Sequence, residues 1–110
     1  MNSDIIERLC DYVDGIVHDS AVPDPPLTRA EAFLSAIKAG VVCDAEPLTR
    51  LEKYLARING RDIVIPLPIE RAEKYLAVLC GIDVELPEYP MSRLEELLAE
   101  WVKTKYKKGE

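Results

Sequence analysis

Apolar residues recur along this chain at i, i+3, i+4 and i+7, interrupted at regular intervals by proline and glycine. The quartets are Leu9-Tyr12-Val13-Ile16, Ala30-Phe33-Leu34-Ile37, Leu51-Tyr54-Leu55-Ile58, Ala72-Tyr75-Leu76-Leu79 and Leu94-Leu97-Leu98-Trp101. That spacing paints one face of a helix, whereas a half-buried strand would alternate with period two. Gly40, Gly60 and Gly81 stand where a left-handed residue would end the second, third and fourth helices. The proline that follows delays the next helix until a new cap.

The five segments are copies of one unit. Arginine falls at Arg8, Arg29, Arg50, Arg71 and Arg93, in steps of 21, 21, 21 and 22 residues. Glu31, Glu52, Glu73 and Glu95 lie two residues after the last four arginines. Tyr12, Phe33, Tyr54, Tyr75 and Leu97 lie four residues after all five. Pro26-Leu27, Pro47-Leu48, Pro68-Ile69 and Pro90-Met91 precede the last four. The consensus is Pro-apolar-Thr-Arg-x-Glu-x-Tyr-Leu-x-x-Ile.

Thr28 with Glu31, Thr49 with Glu52, and Ser92 with Glu95 have capping-box spacing, with the glutamate expected to reach back to the cap residue. Asp4 with Glu7 is an acceptable version for the first unit, and Glu70 is a poorer cap in the fourth. The segments Val41-Val42-Cys43, Ile63-Val64-Ile65 and Val84-Glu85-Leu86 read as extended linkers. A minor β ladder between neighbouring units is the alternative.

A helix of about eleven residues is marginal alone in water, so each apolar face needs cover from its neighbours. The fold class is therefore all-α, with five short helices forming a compact bundle or a short solenoid. The domain expectation is one helical-repeat domain over residues 1–102 and a flexible basic tail over 103–110. The aromatics Tyr12, Phe33, Tyr54, Tyr75 and Trp101 belong to the core, and Tyr89 is the aromatic expected at the surface.

An arginine in a first helical turn opposes the helix dipole, so its presence in every copy implies a demand from elsewhere. Arg and Glu two apart do not meet on one helix. Either each arginine contacts an acid or free carbonyl of an adjacent unit, or the row faces a partner. On the second reading Arg29, Arg50, Arg71 and Arg93, with Tyr89, are the candidate interaction residues.

Composition narrows the function. The net charge is -6 over 110 residues, and residues 1–102 hold ten basic against nineteen acidic residues, or -9. Such a body repels phosphate backbones, so direct nucleic-acid binding is not expected. No run approaches the ~20 apolar residues of a membrane span, and the first residues lack a secretory pattern. Cys10, Cys43 and Cys80 have no metal-ligand spacing and read as free thiols. The single histidine, His18, has no nucleophile or ligand beside it in sequence, and no phosphate loop or hydrolase motif occurs. The expectation is a non-enzyme without cofactor or metal, cytoplasmic when made.

The stretches Glu46-Pro47-Leu48-Thr49-Arg50-Leu51-Glu52-Lys53-Tyr54-Leu55-Ala56 and Gly81-Ile82-Asp83-Val84-Glu85-Leu86-Pro87 resemble short helical repeats of tailed-bacteriophage and prophage proteins of gram-positive bacteria. Such repeats occur in head-fibre or virion-structural proteins. The resemblance covers residues 25–102 well and 4–19 faintly. It implies a phage structural or adaptor protein that binds other virion proteins, resides in the virion, and self-associates through unit faces. The second hypothesis, from the -9 body, is a small phage-encoded inhibitor that binds a host protein by mimicking a nucleic acid.

Overall fold

A computed structural model describes residues 2–107. It contains five helices: α1 Asn2–His18, α2 Arg29–Ala39, α3 Arg50–Ile58, α4 Arg71–Leu79 and α5 Arg93–Lys107. The described residues include no strand. The caps follow the repeat. Thr28, Thr49 and Ser92 accept from the amides of Glu31, Glu52 and Glu95, each at 3.2 Å. Glu70 caps α4 without a side-chain bond. Gly40, at φ 77°, closes α2 in the left-handed conformation.

Three local expectations change. The glutamates reach back past the cap to the amide before it: Leu27, Leu48, Ile69 and Met91 donate to Glu31, Glu52, Glu73 and Glu95 at 2.7–3.0 Å. This bond fixes the angle at which each linker enters its helix. Asp4 does not start a helix, because α1 already runs from Asn2. Finally, α5 continues through Lys107, so residues 103–107 of the expected flexible tail are helical. The Lys105 ammonium donates to the Leu79 carbonyl near the end of α4.

Each helix packs on the next, and α5 packs back on α1; among the described residues no other helix pair is in contact. The bundle and the solenoid are thus reconciled as a one-turn solenoid closed into a ring. Pairing between first turns, Arg29 with Glu52 for example, makes neighbouring helices parallel. Extents of 33 × 32 × 27 Å fit a disc with the helices along its short axis.

Two apolar layers hold the ring. The inner layer, including Leu9, Val13, Leu34, Leu55, Leu76 and Trp101, surrounds the axis. The outer layer lies between each helix and the linker leaving it. There Tyr12, Phe33, Tyr54 and Tyr75 are almost completely buried. Tyr12 donates its hydroxyl to the Pro23 carbonyl at 2.7 Å, and Tyr54 donates to Pro66 at 2.6 Å. Phe33 has no hydroxyl to give. The matching carbonyl, Ala45, accepts instead from Arg61 of the next unit, which also reaches Cys43. Asn59 bonds the same linker twice, to the Cys43 amide and the Val41 carbonyl, both at 2.7 Å. Side chains therefore take linker groups that a β ladder would have used.

At one place the linker needs glycine. A Cβ on Gly15 would lie 2.3 Å from Val22 Cγ1 and 2.8 Å from the Ser20 carbonyl oxygen. The chain leaving α1 folds back over that position, and Ser20 donates to the Gly15 carbonyl at 3.1 Å.

Candidate functional site

Parallel helices place the amino-terminal turns of α2–α5 on one face of the disc, level with Arg8, beyond which α1 runs six residues further. The arginine row lies there as a ladder. The Arg8 guanidinium donates to Glu31 at 2.9 and 3.0 Å, and that of Arg50 to Glu73 at 2.8 and 2.9 Å. Arg29 donates to Glu52 at 3.2 Å and Arg71 to Glu95 at 3.1 Å. The same guanidiniums hold the intervening linkers: Arg8, Arg50 and Arg71 donate to the carbonyls of Pro25, Leu67 and Tyr89. Each rung thus ties one unit to the helix of the next, and three of the four tie it to the linker as well. This answers why arginine tolerates an unfavourable dipole position: its charge is matched to the next unit's buried carboxylate.

The acids respond as paired carboxylates do. The Arg50 hydrogen bonds, outweighing the burial that opposes them, hold Glu73 down to about 2. Arg8 lowers Glu31 in the same way. For Glu52, burial pushes the other way, and the Leu48 amide and Arg29 outweigh it to give a net lowering. Glu31 is 1% exposed, so these charges are absorbed into the ring.

The rung is missing at the seam between α5 and α1. Arg93 reaches Asp11 only at 3.8 Å, with both side chains about half exposed. The glutamate position of the first unit is Cys10, buried beside Arg93, and burial pushes its thiol up. The reason is local. Glu31, Glu52, Glu73 and Glu95 each accept from a free amide ahead of their helix, but α1 begins six residues before Arg8. A carboxylate at position 10 would find no free amide, because the helix uses it. A second contact spans the seam on its outer side: His18 lies 2.5 Å from Asp14 and 3.3 Å from Glu100. Those two carboxylates, Asp14 first, raise the His18 pKa above its ordinary 6.5.

The amino-terminal face also carries apolar side chains in water. Leu27, Leu48, Ile69 and Met91, in the linkers two residues before the arginine of each unit, and Ile6, at the same repeat position but inside α1, are 46–71% exposed. An apolar residue before a cap commonly packs on the fourth helical residue. Here those fourth residues are Ala32, Lys53, Lys74 and Glu96, which give little or no apolar cover. Leu67 and Tyr89, four residues before Arg71 and Arg93, are exposed on the same side. The result is an apolar crown with no packing role in the single ring.

Of the sequence candidates, the structure places Arg29, Arg50 and Arg71 in interunit pairs, Arg93 in the loose seam contact, and Tyr89 at the surface. Tyr89 joins the crown. The crown's other members lay in plain view as the repeat's apolar position, but periodicity does not reveal which apolar positions stay wet. Inside the ring, a wholly apolar cavity of about 50 Å³ has Leu51, Leu55, Leu76, Leu94 and Leu98 among its lining residues. It is far below the size of a ligand pocket. Among the described residues no group of His, Cys, Asp and Glu could hold a metal, and no helix is long and apolar enough to cross a membrane.

No family model, curated protein or solved structure matches the chain.

Proposed function

We propose that this protein is a non-catalytic structural or adaptor protein, of the phage type its repeats resemble, which works by protein–protein contact through the amino-terminal face of its ring. One observation carries the reading: every unit keeps a large apolar residue at a position that is exposed and unsupported. Large exposed apolar patches on soluble domains mark interaction sites. The nucleic-acid-mimic alternative draws less support. Four of the carboxylates it would present, Glu31, Glu52, Glu73 and Glu95, are held by arginines of the preceding unit.

Affinity capture from a phage-induced host, with mass-spectrometric readout, tests the proposal by comparing wild type with Leu48→Glu and Met91→Glu. Capsid, neck or tail proteins held by wild type and released by both variants are the expected result. Equal capture by all three would sink the assignment of the face. Recovery of a single host enzyme, released by salt and indifferent to the crown, would favour the inhibitor.

A further inference from the structure

We infer that the axis of the ring holds a binding site for one small uncharged apolar guest, of about one to three heavy atoms. The site is the cavity of about 50 Å³ enclosed by the inner layer. The inference stands apart from the reading of the amino-terminal face.

Ring geometry makes the space. Five helices packed at about 10 Å stand about 8.5 Å from a common axis, against about 7 Å for four. Inner side chains must therefore reach further to meet. One residue after each arginine, the units carry Leu9, Ala30, Leu51, Ala72 and Leu94. Of the two alanines, Ala72 borders the cavity and Ala30 does not. A leucine at 72 would carry three more carbons toward the space that Leu9, Leu51 and Leu94 help to close. The cavity thus lies where one unit falls short of the others.

Chemistry decides what can occupy it. The lining is wholly apolar, with Leu34, Leu55, Leu76 and Leu98 almost completely buried and Trp101 beside them. A single water needs only ~10–15 Å³, but also two to four polar partners. The cavity has the room and lacks the partners. An ion or a polar molecule meets the same objection more severely. An apolar guest meets none, because it exchanges water for contacts with carbon atoms. Engineered apolar cavities of roughly 150 Å³ behave this way: they stay dry and take up benzene or xenon.

Size sets the class of guest. At about a third of that volume, the axis excludes an aromatic ring and fits a noble-gas atom or a hydrocarbon of up to about three carbons. Even the best small ligands gain a limited amount per heavy atom, so such a guest binds no tighter than about millimolar. All five helices contribute to the lining, so one guest touches every unit of the ring. A guest that binds only the closed ring stabilises it as its concentration rises.

The test is methyl-resolved NMR of the whole chain under increasing xenon pressure, with cyclopropane as competitor. Wild type is compared with Ala72→Val, whose added methyls enter the cavity, and thermal melts confirm that the variant is folded. The expected result is a saturable shift confined to the methyls of Leu34, Leu55 and Leu76, with a midpoint on the order of millimolar, reversed by cyclopropane. Ala72→Val should weaken xenon binding at least tenfold. A wild type with no saturable shift overturns the inference, since the space is then closed in solution. Shifts that Ala72→Val leaves unchanged overturn it too, as do shifts that gather on Leu27 and Leu48 of the crown. If Ala72→Val does not fold, competition decides: displacement of xenon from the interior methyls by cyclopropane supports the site, and failure to displace it overturns the site.

Discussion

Removing one rung of the ladder gives the sharpest test of how the ring is held, and the seam supplies its own control. In Arg50→Ala the Glu73 carboxylate, 12% exposed in the intact pair, keeps the Ile69 amide but loses two guanidinium bonds. A shift from 4.5 to about 2 corresponds to at most about 3 kcal/mol in favour of the ionised acid. Because Arg50 is itself 41% exposed, solvent screening reduces the pair's contribution to about 1–2 kcal/mol. Stranding the half-satisfied acid and releasing the Leu67 carbonyl bring the expected loss to about 2 kcal/mol. For a domain of this size that lowers Tm by about 10 °C at neutral pH. Arg93→Ala, which removes only a 3.8 Å contact between exposed groups, should lower it by less than about 3 °C. Thermal melts followed by circular dichroism measure both. The pH dependence gives a second reading. Glu73 is depressed in the folded state, so its contribution is present above its ordinary 4.5 and fades as pH falls toward about 2. The gap between wild type and Arg50→Ala should therefore narrow in acid. Equal losses for the two arginines, or no loss for Arg50, would refute the ladder as the interunit tie.

Gly15→Ala forces a Cβ against Val22 and the Ser20 carbonyl, and a loss of about 1–3 kcal/mol in urea unfolding is expected, whereas a neutral result would show that the linker relaxes freely. Cys10→Glu restores the consensus acid where α1 leaves it no free amide; it should lower Tm despite completing the arginine row, and a rise in Tm would contradict the explanation given for the cysteine. His18 is raised above 6.5 by Asp14 and Glu100, so its contribution is whole below 6.5 and is lost as pH rises through the raised value. His18→Ala should then flatten the fall in Tm between mildly acidic and mildly alkaline buffer, and an unaltered slope would remove histidine from the seam.

Much of the architecture is written in the 21-residue period. Helical spacing, cap residues and glycines locate four of the five helices closely, because each signal is local and the units confirm one another. The core placement of Tyr12, Phe33, Tyr54 and Tyr75 follows from the same spacing. The arginine's partner is legible as an acid or carbonyl of an adjacent unit, and the distance of 23 residues, 24 at the last rung, follows from period plus two. Closure of the ring is not legible. It depends on the small rotation between successive units, which accumulates from packing and leaves no mark in any one unit. The start of α1 is missed because an acceptable cap pair, Asp4 and Glu7, lies inside a longer helix. Arg61 escapes notice for a different reason. Its role, supplying the hydrogen bond that Phe33 cannot, appears only when a departure from consensus in one unit is matched to a departure in the next.

The closed ring also bears on how the chain folds. In an open stack, order spreads between neighbours and every contact is close in sequence, so the ends fray independently of the middle. Here the α5–α1 contact joins residues such as His18 and Glu100, 82 apart in sequence, and its loop-closure entropy grows only logarithmically with that separation. Once made, it removes both fraying ends at once, and unfolding anywhere must first break the circle. Such a molecule has no privileged beginning. Joining its ends through an added linker that runs from the end of α5 back to the start of α1, as the native linkers do between the other helices, and cutting the linker between α2 and α3 should yield a permuted chain that reaches the same native state, with the old seam as an internal contact and the cut as the new one.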